Sequence, residues 1–442
     1  MEKYSLCFIF LLFISLGMQS QEEVLTKEEV IARALEENFG IRISENNVEI
    51  AENNQTILNS GYLPRLQAVA GSNYDLNNRL TEPEEGETLS QSGIESNQYN
   101  ASVNLNYTLF DGLGRLYNFK SLKQQYNLSK LDARETIENS ILQIMSIYYE
   151  IARLSENLNV LEETLEISKN RVTRAQYQFE YGQVNNLAVL NARVDVNNDS
   201  VALIESQQQL RNTKRDLNVL LDRDVSDRDY SVDTTITFIS ELVLEDYLAS
   251  VETNNVSLLQ AESNIVISDY DIKIARSGYL PTIGLNGSYG WNRNRSAASA
   301  FFPGSTTTTD GFSAGLNLVW DIFDGGSTVV RIQNAKVRYE NQGIIKQQIE
   351  AEIERDIANA LGNYRNKLFI LNVQEENVAT NLDNFNRSEE QYKLGRITSI
   401  EFRQAQINLL NARTSLNLAK YDAKFAELQV LQLTGQLLNV SL

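Results

Sequence analysis

Nucleophilic and metal chemistry have almost no residues to work with in this chain. The sequence contains no histidine, and its single cysteine, Cys7, lies inside an apolar N-terminal run. Serine and cysteine triads need an imidazole, and thiolate or imidazole metal sites need the side chains that are missing. No phosphate-cradling glycine loop occurs, so energy for any work must come from another protein. Acidic residues outnumber basic ones, 58 to 39, but no Asp or Glu pair stands apart from helix-surface charge. The formal charge of −19 argues against a nucleic-acid partner. The acidic excess serves solubility, with a cation-favouring lumen as the functional alternative.

The elements that must position any site begin with a leader. Met1-Glu2-Lys3, an apolar run from Leu6 to Leu16 and Gly17-Met18-Gln19-Ser20 read as a secretory signal peptide over residues 1–20. The run is too short to span a bilayer as a helix. Cys7 leaves with it, so the mature chain has no disulfide framework and no cysteine for a lipid anchor. Past the leader no apolar segment approaches ~20 residues, so any membrane insertion must come from strands.

One stretch occurs twice. It starts at Ser60-Gly61-Tyr62-Leu63-Pro64 and ends at Leu109-Phe110-Asp111-Gly112, then returns as Ser277-Gly278-Tyr279-Leu280-Pro281 through Ile322-Phe323-Asp324-Gly325. In the first copy Tyr99, Ala101, Val103, Leu105, Tyr107 and Leu109 alternate with Asn100, Ser102, Asn104, Asn106 and Thr108. In the second, Phe312, Ala314, Leu316, Leu318, Trp320 and Ile322 alternate with mostly small or polar residues, Val319 being the exception. A period of two with one apolar face is a half-exposed strand, and apolar-out, polar-in with aromatics near the ends is also the pattern of a transmembrane β-barrel. Tyr99, Val103, Leu105, Tyr107, Phe312, Leu316, Leu318 and Trp320 are therefore expected to face lipid. The first hairpin is expected near residues 65–78 and 98–110.

The rest reads as helix. Thr26-Lys27-Glu28-Glu29 has the form of a capping box. From Arg115 to Tyr181 there is neither Gly nor Pro, and at 1.5 Å per residue that length spans roughly 100 Å. Ile137, Ile144, Ile151, Leu158, Leu165, Val172 and Phe179 recur every seven, which means coiled-coil packing. After Tyr181-Gly182-Gln183 a returning helix is expected from about Leu187 to Leu221, then a charged connector with a short strand around Thr234–Ile239. Asn255 and Pro281 follow Asn38 and Pro64 by 217 residues, and Asp324 and Gly395 follow Asp111 and Gly182 by 213. The second seam, Ile357, Tyr364, Leu371, Val378, Phe385 and Tyr392, keeps the same register. The chain reads as a duplicated half: residues 21–222 with hairpin 65–110, a connector over 223–243, and residues 244–442 with hairpin 282–323.

Four strands cannot close a barrel, and an open sheet edge cannot face lipid because its backbone groups would lack partners. The chain must therefore oligomerise to insert. Three copies give a twelve-stranded barrel continued by twelve helices; two or four copies also satisfy this requirement.

The leader, the twofold repeat, the Ser-Gly-Tyr-Leu-Pro and Phe-Asp-Gly boundaries and the glycine-containing helix tips together resemble the TolC-type outer-membrane efflux proteins. The likeness covers essentially the whole mature chain. It implies a mainly α fold with membrane β: a homotrimer with a long coiled-coil α-helical barrel, a mixed equatorial belt that includes the connector, and a 12-stranded outer-membrane β-barrel, four strands per chain. It also implies an exit duct in outer-membrane lipid, docked to a periplasmic adaptor and an inner-membrane pump of the RND, ABC or MFS class, for efflux or type I secretion, with no cofactor. By the same resemblance the tips, Tyr181, Gly182 and Gln183 with Gly395 and Arg396, meet the adaptor. Tyr392 matches a tyrosine that holds the periplasmic mouth shut, and Glu401 an acid of its constricting ring. The second ring acid falls at Gln404, the tyrosine's usual acidic partner at Ala188, and an expected basic residue at Ile397. A periplasmic coiled-coil scaffold without a channel is the competing reading; a self-sufficient porin would have no use for the long heptads.

Overall fold

The computed structural model describes residues 23–226, 230–298 and 303–440; the leader expected over residues 1–20 lies outside them. Helix α1 (Lys27–Glu37) starts at the expected capping box. The Thr26 hydroxyl accepts from the Glu29 N–H at 3.3 Å, and the Glu29 carboxylate accepts from the Thr26 N–H at 3.0 Å. Asn38 then leaves the helix with extended backbone, and α2 (Phe39–Asn54) follows. The Asn38 carboxamide causes the break: its oxygen accepts from Gly40 and Ile41 N–H, and its Nδ2 donates to the Leu220 carbonyl.

Helices α3 (Gly114–Glu180) and α4 (Asn186–Leu220) have 67 and 35 residues. After the short α5 (Glu241–Ala249), α6 (Val251–Asn254) and the longer α7 (Val256–Ser277), α8 (Ser327–Lys393) and α9 (Ser399–Leu433) have 67 and 35 again. Asn255 copies Asn38: its oxygen accepts from Leu258 N–H, and its Nδ2 donates to the Leu433 carbonyl.

The chain forms two compact units, each drawing segments from both sequence halves. The first gathers residues up to Asn47, Leu131–Gln260 and everything from Gln347. Its main core packs Ile144, Met145, Tyr148 and Ile151 of α3 against Leu217 of α4 and Leu428 and Leu431 of α9. Each such side chain contributes ~1.5–3 kcal/mol on removal from water. The heptad seam is thus buried where the helices pair: Ile144, Ile151, Leu165, Tyr364, Leu371, Phe385 and Tyr392 are all buried.

In the same unit β1 (Glu23–Leu25) pairs in parallel with β4 (Tyr230–Val232). The strand expected at Thr234–Ile239 therefore sits earlier. Tyr230 and Val232 are the buried, alternating residues, and the Tyr230 hydroxyl donates to the Lys214 carbonyl. Residues 234–239 send backbone groups to side chains instead of a ladder. Lys424 donates to the Thr237 carbonyl, and Glu427 accepts from Ile239 N–H.

The second unit, Val48–Lys130 with Ala261–Lys346, holds one antiparallel sheet in the order β2 (Arg65–Thr81), β3 (Leu89–Asp111), β5 (Thr282–Ser296), β6 (Ser305–Val319). The first hairpin is longer than its side-chain pattern suggests. Backbone pairing continues through polar residues to Thr81↔Leu89, past a bulge at which the Asn78 side chain accepts from Gly93 N–H. Register puts Leu66, Leu105 and Gly287 side by side, then Ala68, Val103, Tyr289 and Phe312. Tyr99, Val103, Phe312, Leu316 and Leu318 are exposed, while Leu105 and Tyr107 are half-buried. Trp320 lies just past the end of β6, exposed, with its indole N–H donating to the Tyr279 carbonyl at 3.1 Å.

The Phe-Asp-Gly boundary has a physical reason. The Asp111 carboxylate accepts from Arg115 N–H, and the Asp324 carboxylate accepts from Thr328 N–H at 2.7 Å, so each strand hands over to a helix whose first donors are already satisfied. The Thr328 hydroxyl first, and then the Thr328 N–H, hold the Asp324 carboxyl below the usual carboxylate range.

Candidate functional site

Both helix tips lie in the first unit, and both turn on a glycine. Gly182 has φ +72° and Gly395 φ +71°, a left-handed conformation that residues with a Cβ adopt at a cost. Around each, the chain closes the helix in the same way. Gly182 N–H donates to the Phe179 carbonyl and Gln183 N–H to Gln178; Gly395 N–H donates to Tyr392 and Arg396 N–H to Gln391. The returning helices start on matched caps, Asn185 accepting from Ala188 N–H and Thr398 accepting from Glu401 N–H.

Tyr392 is buried, its ring stacked on Phe402 at 4.8 Å and 11°, with the Arg174 guanidinium 5.0 Å from the ring centroid. Arg174 also donates to the carbonyls of Tyr392 and Lys393, closing the C-terminal end of α8. The Tyr392 hydroxyl is buried and has no hydrogen-bond partner among the described residues. Tyr181, Gln183 and Tyr392 line one cleft of about 460 Å³, and Gln183, Ala188, Tyr392, Gly395 and Ile397 line another of about 700 Å³. The two tips are thus brought together around Tyr392.

Glu401 and Gln404 sit apart from those clefts, on exposed positions of α9. Gln404 donates to Asn408. The Glu401 carboxylate accepts from the Thr398 N–H at 2.7 Å and from the Thr398 hydroxyl at 2.9 Å, completing a second capping box. Those bonds, backbone first, hold the Glu401 carboxyl below the ordinary glutamate range. Sequence reasoning read this box at Thr26–Glu29 and missed the same T-x-x-E at Thr398–Glu401.

It also missed a buried charge lattice about one to four turns inside the tips. Arg403 of α9 forms a bidentate pair with Asp199 of α4, at 2.6 and 2.8 Å. Arg171 of α3 pairs with Asp195 of α4 at 3.0 Å and donates to the Ser399 carbonyl and hydroxyl. Ser168 donates to Asp199, and Gln406 donates to Ser168 and to the Thr164 carbonyl. Three helices are thereby joined through charges largely withdrawn from water, where an ion pair is favourable only when its remaining hydrogen bonds are also made. Polar residues three or four apart, at 168 and 171, 195 and 199, 403 and 406, mark one face of each helix and were the available signal.

The sequence model of the outer membrane efflux protein family matches residues 30–222 and again 248–436, most of the chain. The chain belongs to that family. Among relatives, the outer membrane protein TolC of Vibrio cholerae is 22% identical over 387 residues, covering 86% of this chain and 83% of the relative. The outer membrane efflux protein BepC of Brucella suis is 21% identical over 428 residues, covering 95% and 87%. The fold is that of the Campylobacter jejuni CmeC outer membrane channel, with a TM-score of 0.75 at 18% identity, covering 93% of this chain and 86% of that one. This efflux protein is an outer-membrane transport protein of TolC type. Among its described residues no helix is long and apolar enough to cross a membrane.

Proposed function

We propose that three copies of the chain close a twelve-stranded outer-membrane β-barrel continued by a helical duct. In this reading the duct passively conducts substrates delivered by a periplasmic adaptor and an inner-membrane pump, in efflux or type I secretion. One observation carries it: an antiparallel four-stranded sheet with an exposed apolar face and two outer strands, β2 and β6, unpaired on their far sides among the described residues. Such edges are costly in lipid unless copies of the sheet pair with them. Residues 1–20 are then a cleaved leader, and 21–222 and 244–442 two copies of one ancestral half joined by 223–243, as the paired 67- and 35-residue helices support.

The tips, with Tyr181, Gly182, Gln183, Gly395 and Arg396, form the adaptor-facing mouth. Tyr392 closes it by packing, and Glu401, repeated around the threefold axis beside Gln404, contributes charge at the constriction. Detergent-solubilised protein is expected at about three times the mature chain mass. A stable, folded monomer that retains the sheet overturns the reading.

A further inference from the structure

Following the apolar face of the sheet away from the helices, the side chains change in an ordered way. On β5 the face runs Ile283, Leu285, Gly287, Tyr289 and Trp291, and then Arg293 and Arg295. Across the ladder Trp291 stands beside Ala101 and Asp310, Arg293 beside Tyr99 and Thr308, and Arg295 beside Asn97 and Thr306. At ~3.3 Å per residue and a strand tilt of about 40°, Ile283 to Trp291 rises roughly 20 Å, Arg293 roughly 25 Å and Arg295 roughly 30 Å. A barrel's apolar band is about 25 Å tall, so both arginines lie at its outer rim, beyond Tyr289 and Trp291, with Arg293 level with Tyr99. Both arginines are exposed.

We propose that Arg293 and Arg295 bind a phosphate-bearing headgroup of the outer membrane's outer leaflet. The proposal rests on the barrel reading, which turns this face to lipid. The strand ends that carry the arginines lie farthest from those joined to α2, α3, α7 and α8, so in an outer-membrane protein with its helices in the periplasm they meet the outer leaflet. A guanidinium fits a phosphate with two parallel N–H donors, and a two-residue spacing puts both on one face, about 6.6 Å apart along the strand. Asp310, which accepts from the Tyr289 hydroxyl at 3.4 Å, and Glu95 of β3 flank the pair on the same face. The local net charge is therefore near zero. Short-range bidentate bonding, rather than a long-range field, selects the ligand, and the apolar band below holds the acyl chains that a free anion lacks.

The test uses the full chain purified in detergent and reconstituted into phosphatidylcholine vesicles containing a minor fraction of diphosphorylated lipid A. Lipid A retained per protein is measured after re-extraction. Wild type is expected to retain it, and R293Q/R295Q about tenfold less. The variant N292A/N294A, altered on the opposite face of the same strand, should match wild type. Added inorganic phosphate should not displace the glycolipid; displacement would mean a soluble-anion site and overturn the lipid assignment. Equal retention by wild type and R293Q/R295Q also overturns it. Planar-bilayer conductance separates the two readings: if no variant forms channels, the barrel fails and the site with it, whereas channels with unchanged retention remove the site alone.

Discussion

At the first tip Phe179 is 41% exposed and Tyr181 79% exposed; at the second, the residue equivalent to Phe179 is Tyr392, only 7% exposed between Phe402 and Arg174. The backbones of the two tips are nearly the same, each a left-handed glycine after a long helix and a polar cap before the returning one. Their side chains do opposite work. The first tip presents aromatic surface, while the second is fastened inward by stacking, by Arg174 and by the Arg403–Asp199 pair. The first cap is Asn185 with Ala188 in the third position, and the second is Thr398 with Glu401 there. Nearly the same backbone therefore carries a packed aromatic at one tip and exposed aromatics at the other.

The largest effect should come from cutting the lattice that ties the start of α9 to α3 and α4. Arg403→Ala leaves Asp199 buried without its charge partner, and about 3–5 kcal/mol of stability should be lost. Chemical denaturation reads it, and amide exchange should rise at the start of α9 well before the start of α4. An equal rise at both starts would mean that the lattice serves the whole bundle and not the second tip.

Tyr392→Ala should cost about 3 kcal/mol and Phe179→Ala less than about 1 kcal/mol, because only the former empties a packed site. Tyr392→Phe should leave both stability and closed-state bilayer conductance unchanged, since the hydroxyl has no partner among the described residues. A leak in Tyr392→Phe would show instead that the hydroxyl meets a neighbouring copy.

A smaller contrast separates the far ends of the returning helices. Gly435 has φ +69°, and a Cβ there would lie 2.2 Å from the Asn254 carbonyl oxygen; Asp222, its first-half counterpart, tolerates φ +47° with a side chain. Gly435→Ala is expected to cost about 2 kcal/mol and Asp222→Gly to be neutral or slightly stabilising, as thermal melts would report.

The smallest effect is at Glu401. Glu401→Ala should speed amide exchange over Ser399–Phe402 and lower cation preference in planar bilayers, with Gln404→Ala adding little because Gln404 carries no charge. A carboxyl whose folded pKa is depressed stabilises above its unfolded pKa and loses that contribution as pH falls through the folded value. The second tip should therefore loosen below the ordinary carboxylate range, while the first, capped by Asn185, should not respond.

Periodicity made the long helices and the sheet legible. Heptads gave a seam from Ile144 to Tyr392 that is buried or half-buried except at Phe179, and alternation gave the apolar face from Tyr99 to Phe312, because both patterns repeat over many residues. The lattice stayed hidden because it does not repeat: the second-half counterparts of Asp195 and Asp199 are Asn408 and Ala412, and the first-half counterpart of Arg403 is Leu190. The polar extension of β3 to Leu89 also escaped, since backbone pairing needs no apolar side chains. The role proposed for Glu401 came from resemblance, and its cap from geometry; both capping bonds fall on Oε2.

The order of the sheet also sets a schedule. Thr81 meets Leu89 and Ser296 meets Ser305 across short loops, so each hairpin can zip within moments of synthesis. Asp111 meets Thr282 only after α3, α4 and the connector have been made. The β3–β5 seam is thus a late, slow pairing with a large loop to close. Until it forms, the chain carries two hairpins with four open edges, and afterwards still two among the described residues. A mutation slowing the central seam should therefore lengthen the time those edges stay open before it alters the finished sheet.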